Sequence, residues 1–129
     1  MVDNFKVKII GILFNPSTRR ILVGKNKGDK NLSFLETDLK YNEELDVTLK
    51  KTAKEKTGYI IHNLGAVYAR NKLKNKDTLQ IYFLCEAIEG KEKLGKNVAE
   101  LRWIKPKEVE KQLCENFPTR LKEYLLNLG

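Results

Sequence analysis

The sequence predicts an α/β sandwich of the α+β kind, a mixed β-sheet packed between helices with a central helix over about residues 43–57. Three observations predict it. Runs rich in β-branched and aromatic residues, of strand length, lie on both sides of one segment of helical periodicity. Within that segment Leu45, Leu49 and Ala53 recur every four positions and define a buried stripe. Beyond the last strand, Pro106 and Pro118 each open a short stretch of helical pattern. Strands, one helix, strands and terminal helices, in that order, describe a sheet covered on its faces.

Each element follows from its residues. Residues 5–14 are rich in β-branched residues and read as a strand, and Asn15, Pro16, Ser17 and Thr18 form a turn by composition. Residues 21–25 form a second strand, so the two make a hairpin. Residues 26–31 are a polar loop around Gly28, 32–35 a short strand, and 36–41 an irregular connection. Asn42 is read as the helix cap, with Glu43 and Glu44 at the positive end of the helix dipole. Lys54 and Lys56 lie near the negative end, and Gly58 supplies the left-handed stop. Residues 60–70 and 78–87 are strands joined by a polar turn over 71–77. Residues 91–96 are a charged loop, 100–104 a short strand, and 106–113 a short helix. The last helix opens at Pro118, with Leu121, Leu125 and Leu128 on one face.

Length and composition bound the rest. A chain of 129 residues makes one domain over 1–129. The apolar share of 41% fills one modest core. No apolar run reaches membrane-spanning length, and the first six residues hold no apolar signal region, so an unexported, cytoplasmic chain without a membrane partner is expected. Cys85 and Cys114 make neither a disulfide framework nor a zinc site; Cys85 sits in an apolar run as a small hydrophobe. There are 25 Lys and Arg against 17 Asp and Glu, a net charge of +8. That surplus favours polyanionic partners, a nucleotide or RNA, although the lysines are scattered and no RNA-binding signature is present.

Residues 34–59 carry the most specific pattern. Laid against a glycine, five residues, a glutamate, seven residues, then Arg-Glu-apolar-any-Glu-Glu-any-Gly-apolar, Thr37 takes the first glycine and Glu43 the next glutamate. Lys51 takes the arginine, Thr52 the following glutamate and Ala53 the apolar position. Glu55 and Lys56 take the paired glutamates, and Gly58 and Tyr59 close the motif. The segment resembles a degenerate Nudix box, running from Thr37 to Tyr59, of the Nudix hydrolase superfamily. The preceding hairpin, the strands that follow, and Glu100 to Ile104 leading into Lys105-Pro106 are similar to that family as well, so the resemblance covers nearly the whole chain. It implies a Nudix-like sandwich and, for family enzymes, Mg²⁺-dependent hydrolysis of nucleoside diphosphates linked to another group.

The implied chemistry needs carboxylates at the helix positions i, i+3 and i+4, which share a face, because Mg²⁺ demands hard oxygen ligands. Here those positions are Thr52, Glu55 and Lys56. Only Glu55 is a carboxylate, so it is the one metal ligand and catalytic residue the resemblance offers, and Mg²⁺ is weakly supported. Lys56 brings an ammonium to where a dication would sit; a like-charge pair at ~4 Å costs on the order of 4 kcal/mol at an effective dielectric of ~20. Glu36 and Asp38 in the loop just before the helix, and Glu92 and Glu100 downstream, are carboxylates with which a metal site could be rebuilt. Glu43 and Lys51 are placed to keep an internal ion pair.

Two readings stand beside each other for each residue. Glu55 is a metal ligand or an exposed helical glutamate; Lys56 is a phosphate contact or a dipole partner. His62 has no nucleophile partner. Tyr82 and Trp103 stack on a base or pack the core, and Lys72, Lys74 and Lys76 solubilise a turn. The leading expectation is a Nudix-like domain that binds a nucleotide or related phosphate ligand through Lys56, Thr52, Glu36 and Lys51, with hydrolysis weakened or lost. The alternatives are a divergent Mg²⁺-dependent pyrophosphohydrolase using Glu55, and a non-catalytic protein- or RNA-interaction module, oligomeric in its working form.

Overall fold

The structure is a computed structural model and describes residues 6–73 and 77–129. Six strands form one mixed sheet: β1 (Lys6–Asn15), β2 (Arg20–Asn26), β3 (Leu35–Leu39), β4 (Tyr59–Leu73), β5 (Asp77–Gly90) and β6 (Val98–Ile104). Helix α1 (Leu45–Thr57) follows β3, and a 3-10 turn (Pro106–Glu108) leads into α2 (Val109–Leu113) and α3 (Thr119–Asn127). The strand order is β4-β5-β1-β2-β6, with β3 also paired to β1.

The alternation of side chains along β1 sets the layers. Ile9 and Leu13 face α1 and meet Leu49, Ala53, Ile61, Phe83 and Cys85. Ile10, Ile12 and Phe14 face the other way, into a second core with Val109, Leu113, Leu121 and Leu125. The sheet therefore lies between α1 on one face and the terminal helices on the other. That is the sandwich the sequence predicts.

β1 is the axis of the sheet. It runs parallel to β5 along its whole length, from Lys6 opposite Thr78 to Phe14 opposite Glu86. On its other edge it is shared. Its first half, Val7 to Gly11, pairs antiparallel with β3, and its end, Leu13 to Asn15, pairs with β2. Two strands that share one edge must splay apart, and an isolated bridge between Gly24 and Ser33 ties β2 to the segment just before β3. The splay opens a cleft.

Three expectations need correction. Residues 36–41 are not irregular: Glu36, Thr37 and Asp38 belong to β3, where pairing with β1 outweighs their modest strand preference. Residues 32–35 are correspondingly not a strand of their own; Ser33 makes only the bridge. Helix α1 is capped by Glu44 rather than Asn42, and its carboxylate accepts from the amides of Asp46 (3.2 Å) and Val47 (3.0 Å). The helix begins at Leu45 because Glu43 is spent closing a turn, accepting from the Lys40 amide at 2.9 Å. Gly58 ends it at φ +83° as expected. Lys74 and Lys76 lie outside the described residues, as does the side chain of Lys72.

Candidate functional site

The cleft lies where β2 and β3 diverge, under the last turn of α1. Leu13, Leu22 and Leu35 form its floor, and Lys25, Glu36 and Lys56 stand around it, enclosing about 70 Å³. The central contact joins β3 to α1. The Lys56 ammonium donates to the Glu36 carbonyl oxygen at 3.4 Å. Lys56 is half-buried, held there because Thr57 and Ala53, on either side of the same turn, are packed into the core. Thr57 locks the turn further: its hydroxyl donates to the Ala53 carbonyl (2.6 Å) and accepts from the Tyr59 amide (3.1 Å).

Glu36 connects this cleft to a second one. Its backbone faces Lys56, while its side chain takes an ion pair from Lys8 at 3.4 Å. Ser33, Phe34 and Glu36 line both spaces. The second is a pocket of about 250 Å³ on the face of the terminal helices, with Lys8, Gln80, Tyr82 and Glu115 on its walls. Arg70 organises that wall. It donates to Gln80 (2.8 Å), to the Tyr82 hydroxyl (3.0 Å) and to Glu115 (2.9 Å). Burial pushes the Tyr82 phenol up, partly offset by the Arg70 charge, so it stays a neutral hydrogen-bonding group.

The predicted residues are only partly brought together. Lys56 and Glu36 meet. Thr52 is buried, 8% exposed, and its hydroxyl donates back to the Thr48 carbonyl at 2.8 Å. Glu55 and Lys51 are exposed and lie on a groove along the outer side of α1, with Asp38 and Glu43. The anticipated Glu43–Lys51 ion pair is absent among the described residues, because Glu43 holds the Lys40 turn instead.

The carboxylates that were to rebuild a metal site are otherwise engaged. Lys8 reaches both Glu36 and Asp38. Glu92 accepts from Tyr59 and from the Trp103 indole. Glu100 pairs with Lys25 at 3.8 Å and with Arg102. Among the described residues no three His, Cys, Asp or Glu side chains are grouped to hold a metal ion. The donor set beside Lys56, one carbonyl already hydrogen-bonded to an ammonium, does not fit Mg²⁺.

The remaining candidates resolve simply. Tyr82 is buried in the core, and Trp103 packs edge-on against Tyr59. His62 is exposed on β4. Cys85 is buried, and burial pushes its thiol up to about 12. Sequence reasoning missed Lys8, Lys25, Arg70 and Gln80. Only Lys8 and Gln80 left a trace, each a polar residue flanked by apolar ones within a strand. Among the described residues no helix is long and apolar enough to cross a membrane.

No family sequence model matches the chain, and no curated protein is similar to it by sequence. Solved structures decide the fold. A Nudix hydrolase from Nitrosomonas europaea superposes with a TM-score of 0.79 at 15% identity, covering 97% of this chain and 72% of that one. The chain has the Nudix fold. A MutT protein from Methanosarcina mazei Go1 agrees with a TM-score of 0.72 at 13% identity, over 99% of this chain and 95% of its own. A UDP-X diphosphatase gives 0.74 at 13% identity, with 98% of this chain covering 62% of that protein.

Proposed function

We propose that this Nudix-fold domain binds a nucleotide or nucleoside-diphosphate-type ligand, with the Lys56 ammonium standing in for the divalent cation and Mg²⁺-dependent hydrolysis lost. One observation carries the reading: Lys56 bonds to the Glu36 carbonyl at 3.4 Å, at a cleft that shares Ser33, Phe34 and Glu36 with the Lys8–Gln80–Tyr82 pocket. A fixed ammonium neutralises phosphate oxygens as a point charge. It does not polarise water as a metal does. The inner space, with Lys25 and Lys56, suits phosphate. The outer pocket, with an amide, a phenol and the ring of Phe34, suits a base or sugar. That the fold is shared with a UDP-X diphosphatase agrees with a ligand of this class.

A second reading rests on Glu55, which is exposed and, among the described residues, has no ion-pair partner. With carboxylates recruited from the same groove it would make a divergent Mg²⁺-dependent pyrophosphohydrolase. Both readings are tested on one panel: ADP-ribose, dinucleoside polyphosphates, NADH and nucleoside triphosphates, each in EDTA, Mg²⁺ or Mn²⁺. Binding is followed by thermal shift and product by nucleoside monophosphate or phosphate release. The proposal expects stabilisation in EDTA that is lost in Lys56→Met, with no release. Metal-dependent release that vanishes in Glu55→Gln would overturn it in favour of the enzyme.

A further inference from the structure

The β5–β6 loop, residues 91–97, lies against the last turn of α1 and forms a groove of about 490 Å³ outside the cleft described above. Its walls carry Lys54, Lys91, Lys93 and Lys96. None of the four makes an ion pair among the described residues, whereas six other basic residues of the chain do. The loop has one acid, Glu92, and it is turned away: a single carboxylate oxygen takes hydrogen bonds from the Tyr59 hydroxyl (3.2 Å) and the Trp103 indole (2.9 Å). Alternation along Lys91-Glu92-Lys93 thus sorts the charges, acid toward the aromatics and bases toward the groove. Among the described residues Glu55 is the only carboxylate on the groove wall.

The lysines are also carried on fixed backbone. The Lys93 amide donates to the Thr57 carbonyl (2.9 Å) and the Gly95 amide to the Lys56 carbonyl (3.1 Å), so the loop caps the helix's free carbonyls. The approach is so close that a Cβ at Gly95 would collide with the Glu55 carbonyl. Clustered ammonium groups on a rigid frame, with the local acid sequestered, match a ligand bearing several phosphates in series.

We propose that this groove binds an extended chain of phosphates, as in a single-stranded oligonucleotide or inorganic polyphosphate, through Lys54, Lys91, Lys93 and Lys96. The site is separate from the nucleotide cleft and does not depend on the reading given to it. The test is fluorescence anisotropy of a labelled 12-nucleotide oligouridylate, titrated with protein across a salt series. Lys91→Gln/Lys93→Gln/Lys96→Gln is expected to weaken binding at least tenfold and to lower the log–log salt slope by about 2, at ~0.7 per single-strand phosphate contact. Lys105→Gln/Lys107→Gln/Arg120→Gln removes the same charge elsewhere and is expected to change affinity less than about twofold, matching melting temperatures showing both variants folded. Lys56→Met is expected to leave oligonucleotide binding intact, and excess inorganic polyphosphate to displace the label. Equal losses in the two triple variants, an equal loss in Lys56→Met, no binding by the unmodified protein at low salt, or resistance to polyphosphate would each overturn the proposal.

Discussion

The two sides of α1 have had opposite fates. Its inner side keeps what a packed helix needs: Leu49 and Ala53 have no exposed surface, and Gly58 stops the helix in the left-handed conformation only glycine adopts freely. Its outer side holds no cluster of three metal-ligating side chains among the described residues. Thr52 is turned to its own backbone, Glu55 stands exposed, and Lys56 reaches across to β3. Thr52 and Lys56 lie three positions from Leu49 and Ala53, on the flank of the packed face, while Glu55 stands on the exposed side.

Substitutions on the inner side should be the costly ones. Leu49→Ala is expected to destabilise by about 2–5 kcal/mol, since its removal leaves a cavity between α1 and β1; urea unfolding measures it. Gly58→Ala comes next, at about 1–3 kcal/mol, from the positive φ and from collision of the new Cβ with the Lys91 carbonyl. A loss below about 0.5 kcal/mol in either would break the contrast. On the outer side, Lys56→Glu should cost little stability and create a carboxylate pair with Glu55. Mn²⁺ at tenfold excess over its Kd should then raise stability by on the order of 1 kcal/mol, and a flat Mn²⁺ titration would show that charge alone does not restore the site.

The smallest effect belongs to Asp46 in the first turn. Its hydrogen bond from Lys50 (3.0 Å) holds the carboxyl below its usual range, aided by one from Asn63 on β4. A depressed carboxylate stabilises the fold above its unfolded pKa of about 3.9 and ceases to do so as pH falls through the lower folded value. Asp46→Asn should thus be slightly less stable near pH 7, by about 0.3–0.5 kcal/mol for an exposed i,i+4 pair. The gap should close in acid. A gap that persists at pH 2 would assign the effect to Asn63 rather than to charge.

The fold was legible because its signals are local. Strand runs and the four-residue spacing of Leu45, Leu49 and Ala53 reflect which side chains can share a face. The errors fall where local signals compete or fail. Asn42, Glu43 and Glu44 are all credible caps, and the choice of Glu44 depends on Glu43 closing back on Lys40. β3 is too polar to announce itself and exists through its pairing with β1. The site was half legible. Lys56 could be named from the box and Glu36 from the loop just before it, but the bond between them spans twenty positions and is made by tertiary structure. Arg70 and Lys25 carry no local mark at all.

The position of β1 has a consequence for how the protein is made. Its parallel partner β5 is synthesised about 70 residues later, and at ribosomal speeds of about 5–20 residues per second that is a wait of roughly 4–14 s. For that interval a strand that is apolar on both faces has only its short hairpin with β2 and its pairing with β3 for cover. The sheet's central strand is made before the other five strands of the sheet, and both of its edges are filled only once β5 has followed.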